Sequence, residues 1–196
     1  MIYPIVAYGE AVLRKKAQDI SADYPGLSTL IDDMFETMYG ASGIGLAAPQ
    51  IGKSIRIFIV DATPFEEDQD LSETDRKMLG QFKKVFINAE ILEERGDEWV
   101  FNEGCLSIPD IREDVFRKEE ITIKYFDADF NEHTEVYSGI AARIIQHEYD
   151  HIEGILFTDH LSALKKRMIK GKLTQISKGQ ILADYRMKYP LAKKKR

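Results

Sequence analysis

His147-Glu148-Tyr149-Asp150-His151 sets two imidazoles one helical turn apart, with a carboxylate beside the first. On an α-helix each residue advances about 100°, so positions i and i+4 share a face and can grip one metal ion. The glutamate then stands next to any water that the ion binds. The surroundings suit a helix, because Ile140 to Ile152 is rich in apolar residues, with Gly139 to open it and Gly154 to end it. Two neutral histidines leave a catalytic Zn²⁺ or Fe²⁺ one protein ligand short, since such sites usually take three and keep a position open. The third ligand therefore decides what this helix is for.

Downstream of His151 the long metzincin spacing is followed as far as Gly154, but Phe157 stands where that pattern needs a third histidine. A glutamate a few turns further on is also missing, because no acidic residue occurs between Asp159 and Asp184; only Asp159 itself stays open. Upstream lies the single cysteine, in Asn102-Glu103-Gly104-Cys105-Leu106-Ser107-Ile108-Pro109. A lone thiol is by default a small core residue. Here Gly104 permits close backbone approach, and Ser-Ile-Pro marks a loop or strand end, where ligands are usually presented. The Cys105 thiolate would complete a Cys-His-His site.

Three stretches, Gly43-Ile44-Gly45-Leu46-Ala47-Ala48-Pro49-Gln50, Glu103-Gly104-Cys105-Leu106-Ser107 and Gln146-His147-Glu148-Tyr149-Asp150-His151, together resemble the motifs of peptide deformylases, over roughly residues 3 to 165. The resemblance implies an α+β fold in which short, mostly antiparallel sheets pack around a central helix bearing the HExxH motif, with a C-terminal helix. It implies a metal on Cys105, His147 and His151: Fe²⁺ in the cell, with Zn²⁺, Ni²⁺ or Co²⁺ accepted in purified protein. The implied reaction is hydrolysis of the N-formyl group from N-formylmethionyl nascent peptides, releasing formate. A metal would lower the pKa of its water toward about 7, and Glu148 would act first as base and then as acid.

By the same resemblance the Gln50 side-chain amide and the Leu106 backbone N–H donate to the oxyanion. Gly45 pairs with the substrate backbone, and Ile44, Ile140, Ile144 and His147 line an apolar methionine pocket. Ile140 and Ile144 also read as plain core residues of an amphipathic helix, and Arg143 departs from the apolar character expected nearby. Glu103 with Arg117, or with Arg112 instead, resembles a pair that steadies the cysteine loop. Asp150 is a candidate for a hydrogen bond behind the metal ligands, while His133 and His160 match no motif. Two rival readings are a zinc endopeptidase using the two histidines and Asp159, and a catalytically inactive, metal-stabilised ribosome-binding protein.

The chain has 196 residues, 44% of them hydrophobic, which predicts one domain spanning 1–196. With no run of eighteen apolar residues and neither a basic leader nor a cleavage site after Met1, a cytoplasmic protein without a membrane partner is expected. One cysteine excludes an internal disulfide. The net charge of −6 hides an asymmetry, since residues 161–196 carry twelve Lys/Arg against Asp184 alone, leaving −17 for residues 1–160. Leu161, Leu164, Met168 and Ile169 interleave with Lys165, Lys166, Arg167, Lys170 and Lys172 as an amphipathic helix, and Lys193-Lys194-Lys195-Arg196 closes a basic arm. A solvated helix is one reading; phosphate binding by clustered cations is the other. The resemblance favours the second, with the ribosome near the exit tunnel as partner and no DNA.

Elsewhere the spacing predicts a helix over Leu27 to Tyr39 stopped by Gly40, and strands at Arg56–Asp61, Lys84–Asn88, Glu98–Phe101, Glu120–Phe126 and Glu132–Tyr137. The acidic stretch Ala62 to Gln81 reads as a surface loop with a short helix begun by Ser72, and no chemistry is assigned to it. Gly43 to Ala48 and Gly52-Lys53-Ser54 mimic nucleotide-binding motifs, but they lack the required strand-to-helix context.

Overall fold

The computed structural model describes residues 1–190, so the closing Lys193-Lys194-Lys195-Arg196 run lies outside the described residues. In chain order the elements are β1 (Ile5–Val6), α1 (Leu27–Gly40), β2 (Gly45–Ala47), β3 (Ile57–Asp61), α2 (Glu73–Leu79), β4 (Lys83–Cys105), β5 (Ile108–Phe126), β6 (Glu132–Ser138), α3 (Gly139–Glu153), α4 (Ala163–Ser177) and β7 (Met187–Lys188). Strands β2 to β6 form one antiparallel sheet in sequence order, and β1 pairs in parallel with β7. The expected α+β architecture is present, with α3 packed on the sheet.

The stretches Lys84–Asn88 and Glu98–Phe101, read from sequence as two strands, belong to the single strand β4, and Glu120–Phe126 is only the far end of β5. The β4–β5 ladder shifts register between Ile87 and Glu90, Ile91 and Glu93, and Arg95 and Glu98. Such bulges bend a ribbon without ending it. Residues 92–98 between them are exposed throughout, so the apolar-polar alternation of a half-buried strand is missing and the sequence looks like a loop. At the other end of this ribbon Cys105 pairs with Ile108, leaving Leu106 and Ser107 as a tight turn.

Helix α1, predicted over Leu27 to Tyr39, buries Leu27, Leu30, Ile31, Met34 and Met38. Helix α2 begins where Ser72 Oγ accepts the Asp75 N–H at 3.1 Å, as its N-cap position suggested. Helix α3 buries Ala141, Ala142, Ile145 and Ile152 in a core with Phe58, Phe86, Ile121 and Ile123 from the sheet. Each isoleucine so buried contributes about 1.5–3 kcal/mol. Gly154 ends α3 in the left-handed region at φ 77°, where a Cβ would also lie 2.9 Å from the Arg14 backbone, so only glycine fits.

Helix α4 exists but faces inward differently from expectation. Ile169, Leu173 and Ile176 are buried on a cluster with Val6, Leu13, Ile108 and Phe157, whereas Leu164 and Met168 are 69% and 74% exposed. The buried row follows i, i+4, i+7, and it leaves the Leu164–Met168 row on the solvent side.

Candidate metal centre

Phe101, Glu103 and Cys105 alternate along β4 and so share one face of the strand. The HExxH residues of α3 meet that strand end. Cys105, His147 and His151 bring their donor atoms within 4.8 Å of one another, with Cys105 Sγ 3.2 Å from His151 Nε2. Asp159 is not among them. It accepts the Leu156 N–H at 2.9 Å and pairs with Arg14, so of the two candidates for third ligand only the thiol lies with the imidazoles.

The donor set fits a divalent cation. His147 Nδ1 hydrogen-bonds Glu103 Oε2 at 2.9 Å, which fixes the ring and leaves Nε2 for the shared centre. Burial opposes ionisation of the Cys105 thiol, but His151 and His147 outweigh it and bring its pKa down to about 5. A thiolate and two imidazoles at this spacing match a Zn²⁺ or Fe²⁺ site that has room for one more ligand. A metal ion is therefore expected at this centre.

Behind the ligands lies a buried ionic network. Arg117 binds Glu103 through Nε at 2.7 Å and Nη2 at 3.1 Å, and reaches Asp150 Oδ2 through Nη1 at 2.8 Å. His160 Nε2 lies 2.8 Å from the same Asp150 oxygen. Burial alone would raise the Glu103 carboxyl, but His147 and Arg117 hold it far below the usual carboxylate range. Of the two arginines offered by the sequence, Arg117 is thus the partner of Glu103, while Arg112 binds Asn102. Asp150 joins the network through Arg117, and His160 joins it through Asp150.

Arg143, the apparent misfit, is a second clamp on Glu103. Its Nη1 lies 3.0 Å from Glu103 Oε1, its Nη2 donates to the Trp99 carbonyl at 2.7 Å, and its guanidinium stacks 4.4 Å from the Trp99 ring. Phe157, standing at the vacant metzincin position, packs near-parallel to the His147 ring at 6.2 Å.

Glu148 is buried beside the three ligands, and its Oε2 has no hydrogen-bond partner among the described residues. Burial raises its pKa to about 7, against the pull of His147 and His151. Gln50 Oε1 accepts the Ala47 N–H at 2.8 Å, turning Nε2 toward Cys105 Sγ at 3.5 Å and Ser107 Oγ at 3.4 Å. Gly45 faces Glu148 so closely that a Cβ would lie 2.8 Å from Glu148 Cγ and Cδ.

These groups border one cavity of about 580 Å³, lined by Ile44, Gly45, Gln50, Leu106, Ile144, His147 and Glu148 among others. Ile140 does not line it; one turn before Ile144, it packs against the core cluster, the plainer of its two readings. Phe65 and Phe101 line it and were missed. The alternation 101, 103, 105 was a usable signal for Phe101. Phe65 had none, because it lies in the acidic stretch and is brought there by a turn that follows β3.

A family model described as polypeptide deformylase matches residues 2–167. The peptide deformylases of Christiangramia forsetii and Flavobacterium johnsoniae are 61% and 58% identical over 196 residues, covering all of this chain and all of theirs. The crystal structure of a peptide deformylase from Legionella pneumophila superposes with a TM-score of 0.77 at 38% identity, covering 92% of this chain and 98% of that one. With its thiol and two imidazoles gathered at the end of β4, the chain belongs to the polypeptide deformylase family.

Proposed function

We propose that this enzyme removes the N-formyl group from the N-terminal formylmethionine of nascent polypeptides and releases formate. The observation that carries the reading is the cluster of Cys105, His147 and His151, two of which line one cavity together with the buried Glu148, in a chain of this family. When bound, a divalent cation supplies Lewis acidity and acidifies a coordinated water. Fe²⁺ is the proposed ion in the cell, with Zn²⁺, Ni²⁺ or Co²⁺ in purified protein, since the thiolate-imidazole set suits all of them.

The chain's own residues do the rest. Glu148 takes the proton of the attacking water and later delivers it to the departing amine. The Gln50 amide and the Leu106 N–H donate to the oxygen on which charge develops; one such donor is worth about 10²–10³ in rate. The Ala47 N–H supports this role by fixing which end of Gln50 points inward. Ile44, Ile144, Phe65, Phe101 and the His147 ring give the methionine side chain an apolar lining. The test is formate release from formyl-Met-Ala-Ser by anaerobically purified, iron- or cobalt-loaded protein. Absence of formate from a loaded sample would refute the reading.

Gly45 carries a further prediction. Gly45→Ala is expected to displace Glu148 and lower kcat about 10- to 100-fold, with metal content and melting temperature near wild type. Unchanged turnover would mean that the carboxylate has room to spare.

The basic C-terminal helix is proposed as the contact to ribosomal RNA near the exit tunnel, in the cytoplasm. Among the described residues no helix is long and apolar enough to cross a membrane. Truncation before α4 would uncover the core under Ile169, Leu173 and Ile176, so charge reversal is the cleaner test. Glutamate at Arg167, Lys170 and Lys172, all exposed, is expected to weaken ribosome co-sedimentation and flatten its salt dependence. Unchanged pelleting at low salt would remove the idea.

A further inference from the structure

The family match stops at residue 167, yet the chain beyond α4 returns to the ligand turn. Gly179, at φ 66°, redirects it where the Tyr189 ring packs close. Met187 and Lys188 then form β7 beside Ile5 and Val6. The Ile5 N–H donates to the Arg186 carbonyl at 2.9 Å and the Ala7 N–H to that of Lys188 at 2.8 Å. The Tyr8 N–H, next along, donates to the Ser107 carbonyl at 2.8 Å. The C-terminal strap therefore holds the Leu106-Ser107 turn indirectly, through the N-terminal strand.

Tyr185 holds it directly. Its hydroxyl donates to the Leu106 carbonyl at 2.8 Å, and Tyr185 and Leu106 both pack against the cluster that holds Met34, Met38 and Ile59. Ile181, Met187 and Tyr189 pack, with Cys105, against a neighbouring cluster. The strap thus bonds the residue whose N–H faces the oxyanion and shares a packing cluster with Cys105.

We propose that Tyr185 is a positioning residue for deformylation: by anchoring the Leu106 carbonyl it fixes the turn and aims the Leu106 N–H. The inference rests on the role proposed above for that N–H. A donor kept in place before reaction costs no reorganisation during it, whereas a loosened two-residue turn samples orientations that stabilise nothing.

The test compares metal-loaded wild type, Tyr185→Phe, Tyr185→Ala and Leu182→Ala. Leu182 is 93% exposed in the same strap and serves as the control. Tyr185→Phe keeps the ring and removes one hydrogen bond, so kcat for formyl-Met-Ala-Ser should fall about fivefold to tenfold with KM within about twofold. Hydrogen exchange should quicken in the peptide spanning residues 104–107 and stay unchanged in α3, and Leu182→Ala should match wild type. Unaltered kcat in Tyr185→Phe together with a loss in Tyr185→Ala would reduce Tyr185 to a packing residue and overturn the proposal. Faster exchange spread over α3 and the sheet would overturn it as well. If wild type itself releases no formate, the proposed function fails, and the exchange experiment still decides whether Tyr185 anchors the turn.

Discussion

Glu148→Ala is expected to lower kcat by at least about 100-fold while the protein keeps its fold and its metal. The carboxylate lies outside the ligand triad, so its removal leaves the thiol and both imidazoles in place. Its Oε2 is buried with no partner among the described residues, an arrangement that costs stability and persists where chemistry requires it. The melting temperature of the variant should therefore equal or exceed that of wild type. Glu148→Gln, which keeps shape and loses the basic oxygen, should be as inactive as alanine. Formate release and metal content measured on the same samples check both statements. A variant with substantial turnover would return the proton transfer to another group, and one without metal would make Glu148 a structural element of the centre.

Cys105→Ser should lose metal affinity by at least about 100-fold and activity with it, because an alcohol remains protonated where the thiol ionises. His151 and His147 favour the thiolate against the cost of burial, and a serine hydroxyl at neutral pH has no comparable anion. This variant also separates the present reading from an endopeptidase built on the two histidines and Asp159, under which metal and activity would survive. The network behind the ligands makes that survival unexpected, since Glu103 orients His147 from the strand that ends in Cys105, while Asp159 is bound to Leu156 and Arg14.

Much of this centre was legible in sequence because its determinants are local. The i, i+4 spacing of His147 and His151, the glycine at 154 and the lone thiol between Gly104 and Ser-Ile-Pro each carry their reason within a few residues. The resemblance pointed to Arg117 as the partner of Glu103, but the residues alone left Arg112 open. The choice depends on cross-strand register, in which Gly104 faces Arg112 and Trp99 faces Arg117 across a ribbon with four register shifts. Arg143 misled for a related reason: a cation on an apolar helix face looks wrong until Trp99 and Glu103 arrive from a distant strand. The true inward face of α4 was hidden by two equally apolar rows, and only the cluster with Val6 and Ile108 selects Ile169 over Met168. The Tyr185 contact joins residues 79 positions apart and leaves no periodic trace.

The proposed reaction requires sulfur and nitrogen to share one cation. X-ray absorption on the zinc-loaded protein should show one sulfur at about 2.3 Å and two imidazole nitrogens at about 2.0–2.1 Å, with the sulfur lost in Cys105→Ser. A shell of nitrogen and oxygen alone in the wild type would contradict it.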